Sequence, residues 1–177
     1  YSLPNQLVRV LSELDIHDID HGLDLGCGTG LSGQVLRDSC KQLDGVDISN
    51  KMLDKARDKG IYDHLIESEA LIFLENTSIQ YGLFIAADVL PYFGELTALF
   101  TAIKAHLISG GYFIFTTEIS DISPWQLQAS ARFAHHVDYL NNLAKTHGFD
   151  SCYHEIVIAR RQEGAPLPVF LIALKAN

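Results

Sequence analysis

The 177 residues carry a formal net charge of -9, and 47% of them are hydrophobic. A chain of this length buries about 70% of the surface that its unfolded form exposes, so one domain over residues 1–177 is expected without metals or disulfides. The acidic charge argues against a nucleic-acid-binding surface, which needs a dense Lys/Arg face. There is no uncharged apolar stretch of about 18 residues, so no membrane span is predicted.

The cysteines favour a reduced, cytoplasmic setting. Cys27, Cys40 and Cys152 are odd in number and form neither a C-x-x-C pair nor a metal-ligand spacing. We therefore predict a cytoplasmic protein with no metal site and no secretory signal. Because the chain opens on Tyr1 and not on Met, we expect residues upstream of it.

Short apolar runs alternate with helical patterns along the chain, which is typical of a parallel sheet covered on both faces. In chain order, the patterns predict a helix over 7–14, a strand over 22–25, a helix over 32–37, a strand over 42–46, a helix over 50–59, strands over 64–67 and 83–86, a helix over 95–107, a strand over 112–117, a helix over 133–146, and strands over 151–160 and 169–175. The segment 162–166 contains Gly and Pro, so the last two strands are expected to form a hairpin.

The segment from Leu23 to Gly30 is the most informative one, and it reads Leu-Asp-Leu-Gly-Cys-Gly-Thr-Gly. An apolar run that ends in alternating glycines suits a strand that turns into a helix while its backbone approaches a ligand closely. Asp47 ends the next predicted strand about 20 residues later, where a carboxylate can accept hydrogen bonds from ribose hydroxyls. Together these features predict a nucleoside-binding crevice.

The glycines fit two motifs. Gly28, Gly30 and Gly33 match the G-x-G-x-x-G pattern of dinucleotide-binding folds, so an NAD(P)-dependent oxidoreductase is one alternative. When the motif is counted from Gly26, Asp24 stands two positions before three alternating glycines. The apolar run leads straight into Gly26, which favours this second register. A non-catalytic domain that keeps the cofactor pocket is the third possibility.

In the second register the chain resembles the class I S-adenosylmethionine-dependent methyltransferases. Residues 24–30 resemble their first motif, 47–53 their second, and 83–92 their fourth strand and following loop. Segments 86–96 and 127–135 are similar to a bacterial branch of predicted methyltransferases, some of which carry tetratricopeptide repeats. The resemblance implies a three-layer, doubly wound α/β fold of the Rossmann-like type. Its mostly parallel seven-stranded sheet would have the C-terminal hairpin as its antiparallel edge.

The resemblance also implies S-adenosylmethionine as the cofactor and S-adenosylhomocysteine as its product. The residues expected to bind it are Asp24, Gly26, Cys27, Gly28, Gly30, Asp47, Ile48, Met52, Glu69, Ala70 and Ala87. N–H groups of the glycine loop would face the methionine carboxylate. Two roles stay open: Asp24 could instead satisfy nearby amides within its strand, and Glu69 could instead be a carboxylate at a helix start.

Methyl transfer from a sulfonium mainly requires that the acceptor be held in line in a dry pocket, and a base is needed only if the acceptor must lose a proton. The side chains expected at the pocket mouth are Asp88, Tyr92, Glu118, Arg132, His135 and His136. Of these, Asp88, Tyr92 and His135 are the catalytic candidates, with a structural hydrogen-bonding role as the alternative for His135. Trp125 and Phe133 are expected either to cover the acceptor or simply to pack.

The loop over residues 86–92 helps to narrow the acceptor. It lacks the Asn/Asp-Pro-Pro-aromatic arrangement associated with methylation of amino groups on nucleic-acid bases. The chain also has no Pro-Cys pair to supply the thiolate used in cytosine C5 chemistry. We therefore expect a small-molecule acceptor, with a protein side chain as the second choice and no nucleic-acid or membrane partner.

Overall fold

The structure is a computed structural model that describes residues 2–177. Its helices are α1 (Leu3–Glu13), α2 (Leu31–Leu36), α3 (Asn50–Asp58), α4 (Ala70–Asn76), α5 (Thr97–His106) and α6 (Val137–Thr146). Its strands are β1 (Ile19–Leu25), β2 (Cys40–Asp47), β3 (His64–Glu67), β4 (Tyr81–Ala86), β5 (Leu107–Ile119), β6 (Trp125–Leu127), β7 (Phe133–His135), β8 (Phe149–Gln162) and β9 (Ala165–Ala176). Short 3₁₀ turns cover Arg37–Ser39 and Leu90–Tyr92.

Seven strands form the main sheet in the spatial order β3-β2-β1-β4-β5-β9-β8. The first five run parallel, and β9 pairs antiparallel with both β5 and β8. The predicted doubly wound α/β fold with an antiparallel C-terminal hairpin is therefore confirmed. The short strands β6 and β7 pair with each other, and β7 extends from the C-terminal end of β5.

The sheet is covered on both faces because its central strands are apolar on both sides. Every residue of β4 is buried. Phe84 and Ala86 point into the core shared with α4, α5 and α6, whereas Leu83 and Ile85 point into the core shared with α1 and α2. Successive side chains of a strand face opposite ways, so a continuous apolar run indicates a strand buried between two helical layers.

One expectation about local structure was wrong, and two short elements were missed. The predicted helix over 133–146 begins only at Val137, because residues 133–135 form β7 and His136 caps the helix by accepting a hydrogen bond from the N–H of Asp138. Strand β6 and helix α4 had no prediction. A strand of three residues and a helix of seven residues are too short for a clear period in the sequence.

The order of the strands places a crevice between β1 and β4. The chain runs outward from β1 to β2 and β3, then crosses back to β4 on the other side of β1. In open α/β sheets, ligands bind at the carboxyl ends of the strands where the order reverses in this way. The glycine loop after β1 and Asp47 at the end of β2 both lie at this edge. Within residues 2–177, no helix combines the length and the apolar character needed to cross a bilayer.

Candidate cofactor site

A cavity of about 760 Å³ lies at the carboxyl ends of β1, β2 and β4. It is lined by the predicted cofactor residues Gly26, Cys27, Gly28, Asp47, Ile48, Met52, Glu69, Ala70 and Ala87, and by the predicted catalytic candidates Asp88 and Tyr92. Asp24, Gly30 and His135 do not line it. Thr29, Leu31, Ser32, Val46, Ser49, Ser68, Val89 and Phe93 line it without having been predicted. These additional residues are chain neighbours of the motifs, and their residue types alone carry no signal of a site.

The glycine loop is fixed against β2 by its own backbone. The N–H groups of Gly26 and Cys27 both donate to the carbonyl of Val46, at 2.7 and 2.9 Å. Gly26 has a φ of +70°, and a Cβ there would lie 2.3 Å from Cγ2 of Val89. Both the left-handed backbone and the close approach require glycine at this position.

Asp47 joins the glycine loop to the start of α3. Its Oδ2 accepts a hydrogen bond from the N–H of Gly28 at 2.8 Å, and its Oδ1 accepts from the N–H of Ser49 at 2.8 Å. The Ser49 side chain in turn accepts from the N–H of Met52, and so caps α3. Asp47 is therefore held at the cavity wall with its carboxylate beside the loop.

Two large apolar side chains of the cavity wall are open to solvent. Ile48 is 71% exposed and Met52 is 42% exposed. Each lies close in sequence to Asp47, at the start of α3. Exposed apolar side chains that line a cavity provide a surface on which a flat apolar group can be buried.

Glu69 has the structural role that the sequence left open, and it also lines the cavity. Its Oε2 accepts a hydrogen bond from the N–H of Ile72 at 3.1 Å, which caps α4. The sequence left this helix start open as one of two roles for Glu69, although it did not predict the extent of α4. Glu69 and Ala70 thus lie at the cavity wall because a short helix begins there.

Asp24 lies beneath the loop and is buried. Its Oδ2 accepts a hydrogen bond from the hydroxyl of Tyr62 at 2.6 Å. Burial raises the pKa of Asp24 to about 7, and the nearby charge of Asp47 adds to this effect. The Tyr62 ring packs against Gly33, where an added Cβ would lie 2.2 Å from the Tyr62 hydroxyl. This geometry favours the interpretation of Asp24 as a support for the loop. No sequence pattern indicated Tyr62.

His135 is fully buried, and its ring is engaged on both sides. Its Nε2 lies 2.9 Å from the carbonyl oxygen of Phe93 and 3.0 Å from that of Gly94. Since carbonyls only accept, Nε2 carries the proton, and Nδ1 accepts from the hydroxyl of Thr117 at 2.6 Å. Burial lowers the pKa of His135. These contacts favour the structural alternative for His135.

Trp125 and Phe133 pack behind the cavity wall. A Cβ added to Gly94 would lie 2.9 Å from each of the two side chains. Neither side chain lines the cavity. They support the loop that carries Tyr92 and Phe93, so the geometry favours packing over an acceptor cover.

The charged residues predicted at the mouth lie at the end of the cavity that holds Asp88 and Tyr92. Arg132 donates to the carboxylates of Asp88 and Glu118. Only Asp88 of these three lines the cavity. The structure therefore brings most of the predicted mouth residues together, but it places Glu118 and Arg132 behind the wall.

Comparison with known proteins agrees with this geometry. A family model described as "Methyltransferase domain" matches residues 23–115, which is more than half of the chain. The chain belongs to this methyltransferase domain family. The resemblance noted from the motifs is therefore confirmed at the level of the family.

Two curated relatives match only short segments of the chain. It is 30% identical over 70 residues to an uncharacterised methyltransferase of Schizosaccharomyces pombe, covering 40% of this chain and 27% of that protein. It is 57% identical over 37 residues to an 18S rRNA (guanine-N(7))-methyltransferase of Bos taurus, covering 21% of this chain and 13% of that protein. The matched segments thus span about a quarter or less of each relative.

Among solved structures, the chain is similar to the magnesium protoporphyrin IX methyltransferase of Synechocystis with bound S-adenosylmethionine. The TM-score is 0.76 at 16% identity, over 99% of this chain and 79% of that one. This similarity confirms the predicted fold.

Proposed function

We propose that this protein transfers the methyl group of S-adenosylmethionine to a small-molecule acceptor. The observation that supports it most strongly is the cavity wall formed by the glycine loop and Asp47, because it has an acidic residue beside the loop and apolar groups next to it. The proposal also draws on the family, and on the structural relative from Synechocystis that holds this cofactor.

The nucleoside end of the cofactor fits the wall formed by β2 and α3. The Asp47 carboxylate has lone pairs beyond its two backbone hydrogen bonds, and these can accept from ribose hydroxyls. Ile48 and Met52 offer exposed apolar surface for the adenine ring. Glu69 and Ala70 lie where a carboxylate and a backbone N–H can meet the polar edge of the ring.

The charge of the wall favours a cationic nucleoside. Among residues 2–177, those that line the cavity include Asp47, Glu69 and Asp88 but no Lys, Arg or His. Asp88 is paired with Arg132 and Arg160 behind the wall, so the negative charge comes from Asp47 and Glu69. Sulfonium and ammonium groups are stabilised by such a wall, and backbone carbonyls near Gly26 and Ala87 can accept from the ammonium. When bound, the cofactor supplies an electrophilic methyl group on a positively charged sulfur.

A dinucleotide fits the loop less well. A pyrophosphate needs backbone N–H groups that point at it from the glycine turn. Here the N–H groups of Gly26 and Cys27 donate to Val46, and that of Gly28 donates to Asp47. For these three N–H groups, the expectation that they face the methionine carboxylate is therefore wrong as well. The oxidoreductase alternative would place two phosphate charges beside a carboxylate, which costs free energy.

The acceptor would enter beside Asp88 and Tyr92, at the end of the cavity away from Glu69. The protein's task there is to hold the acceptor in line and to exclude water, since the leaving group departs neutral. An acidic protein of net charge -9 has no electrostatic attraction for a nucleic-acid backbone. These features support a small molecule over RNA, although the bovine relative carries an rRNA methyltransferase name.

The proposal is tested by incubating the purified protein with S-adenosylmethionine labelled on its methyl group and a cell extract. The extract is then separated into small molecules, protein and RNA. We expect the label in the small-molecule fraction. Label in protein or RNA would overturn the acceptor class, and absence of transfer by a protein that binds S-adenosylhomocysteine in calorimetry would overturn the activity.

A further inference from the structure

Four charged side chains meet beside the acceptor end of the cavity: Asp88, Glu118, Arg132 and Arg160. Arg132 donates from Nη2 to Oδ1 of Asp88 at 2.5 Å and from Nε to Oε1 of Glu118 at 2.6 Å. Arg160 donates from Nη1 to Oδ2 of Asp88 at 2.8 Å. Two cations thus balance two carboxylates, and both oxygens of Asp88 are held.

Arg132 also contacts the second predicted catalytic candidate at this end. The carbon of its guanidinium group lies 5.0 Å from the centre of the Tyr92 ring, within the range of a cation–π contact. Tyr92 is 67% exposed and lines the cavity. One side chain therefore contacts both Asp88 and Tyr92 from behind the wall.

The backbone is strained at both ends of the Arg132–Asp88 ion pair. Asp88 has a φ of +65° and Ala131, next to Arg132, has a φ of +60°. Non-glycine residues rarely adopt this conformation, and it persists only where the surrounding contacts hold it. At Asp88, the N–H donates to the Thr116 hydroxyl at 2.9 Å, while the two arginines hold the carboxylate. Such over-determined strain is concentrated at ligand-binding sites.

We propose that Arg132 is a positioning residue for the methyl acceptor, which fixes the Asp88 carboxylate and the Tyr92 ring where the acceptor binds. This inference rests on the proposed function. Arg132 can do this because its planar guanidinium donates in two directions while its face stacks on an aromatic ring. The ammonium group of a lysine has no planar pair of donors and no flat face that stacks on a ring.

Glu118 determines how the proposal must be tested. It is 1% exposed, and within residues 2–177 its Oε2 has no hydrogen-bond partner. Removing Arg132 alone would leave this buried carboxylate without its main counter-charge, which is strongly destabilising. The variant Arg132→Met is therefore combined with Glu118→Gln, and Glu118→Gln alone is the reference. Arg161→Met removes an exposed arginine from the same strand as Arg160 and serves as a matched control.

The first measurement compares cofactor affinity with the rate of methyl transfer, because Arg132 lies at the acceptor end of the cavity. We expect the double variant to bind S-adenosylhomocysteine within twofold of the Glu118→Gln reference, and to transfer labelled methyl to the small-molecule fraction at least tenfold more slowly. A third protein, Arg132→Ala with Glu118→Gln, leaves room for a free guanidinium beside Asp88 and Tyr92, and added methylguanidinium is expected to restore part of its transfer, which a general loss of structure would not allow. Equal transfer rates, a parallel loss of cofactor affinity, or no rescue would overturn the role of Arg132.

The second measurement does not depend on turnover. With 3-fluorotyrosine incorporated, the ¹⁹F signal of Tyr92, assigned through Tyr92→Phe, is expected to shift in the double variant and to stay in place in Arg161→Met. An unchanged signal in the double variant would overturn the proposal. If the wild type and the reference both transfer no methyl group, the proposed function fails, whereas the fluorine signal still reports whether Arg132 holds Tyr92.

Discussion

The carboxylate of Asp47 accepts a hydrogen bond from the backbone N–H of Gly28, with 2.8 Å between Oδ2 and N. This contact joins the end of β2 to the loop that follows β1, so the two motifs form one wall of the cavity. The second oxygen holds Ser49 at the start of α3. Asp47 thus organises the loop, the helix start and the proposed ribose site together.

Replacement of Asp47 by alanine is expected to weaken binding of S-adenosylhomocysteine by about 10- to 100-fold, since hydrogen bonds to charged groups contribute about 1.5–3 kcal/mol and each 1.4 kcal/mol is tenfold in affinity. Isothermal titration calorimetry measures the change. Asp54→Ala removes an exposed carboxylate from α3 that pairs with Arg57, and it should bind normally. Equal affinity of Asp47→Ala and Asp54→Ala would contradict the role of Asp47.

Gly26→Ala is expected to destabilise the fold by more than about 2 kcal/mol, because it combines a left-handed backbone with a contact of 2.3 Å to Val89. Gly110 is the control: its φ is +77°, and an added Cβ would meet no atom of residues 2–177 within 4 Å. Gly110→Ala should cost only about 1 kcal/mol. Urea unfolding measures the loss of stability in each variant. Similar losses in both would show that the Val89 contact is unimportant.

The buried carboxylate of Asp44 is expected to affect the stability of the fold and not the binding of the cofactor. Asp44 accepts hydrogen bonds from His21 at 2.7 Å, His64 at 2.9 Å and Tyr81 at 3.1 Å, in the amino-terminal half of the sheet. Asp44→Ala leaves the buried Tyr81 and the largely buried His21 without their acceptor, whereas the exposed His64 can bond to water, so we expect a loss of about 2–4 kcal/mol in the free energy of unfolding. Affinity for S-adenosylhomocysteine should hardly change, because Asp44 lies away from the cavity.

The control for Asp44 is Asp20, an exposed carboxylate that pairs with Lys41. Asp20→Ala should unfold like the wild type, since exposed ion pairs contribute little. If Asp44→Ala were as stable as Asp20→Ala, the hydrogen bonds of Asp44 would make no measurable contribution to the free energy of unfolding.

Asp24 predicts a pH dependence of stability. Burial raises its pKa in the folded protein to about 7, from 3.8 for a free side chain. The folded state therefore binds this proton more tightly than the unfolded chain. The linked stability is fully present below about pH 4 and is lost as the pH rises through about 7.

Asp24→Asn removes this titration while its carbonyl can still accept from Tyr62. The difference in unfolding free energy between variant and wild type should therefore grow in favour of the variant from pH 4 to pH 8, by up to about 4 kcal/mol at 1.36 kcal/mol per pKa unit. Denaturant titrations across this range measure it. A difference that stays flat from pH 4 to pH 8 would refute the prediction.

Local sequence patterns were sufficient to predict the seven strands of the main sheet and to bring the glycine loop and Asp47 to one edge of it. The glycine loop and Asp47 each follow a short apolar strand, and parallel strands bring their carboxyl ends to one edge. The pair β6 and β7 was missed because three residues show no period, and the apolar Phe133 and Ala134 continued the helical pattern of α6.

The contacts made by Arg132 with Asp88 and Glu118 could not be predicted for a different reason. Arg132 lies 44 positions from Asp88 and 14 positions from Glu118 in the chain. Their contacts depend on how the β6–β7 pair packs against β5. Tyr62 reaches Asp24 across 38 positions in the same way. Side-chain contacts of this kind follow from tertiary packing, which leaves no periodic trace in the sequence.

A crystal structure of the complex with S-adenosylhomocysteine tests the central claim most directly. We expect the ribose hydroxyls within hydrogen-bond distance of the Asp47 carboxylate, with the adenine ring against Ile48 and Met52. A ligand bound elsewhere, or one whose ribose makes no contact with Asp47, would contradict the account.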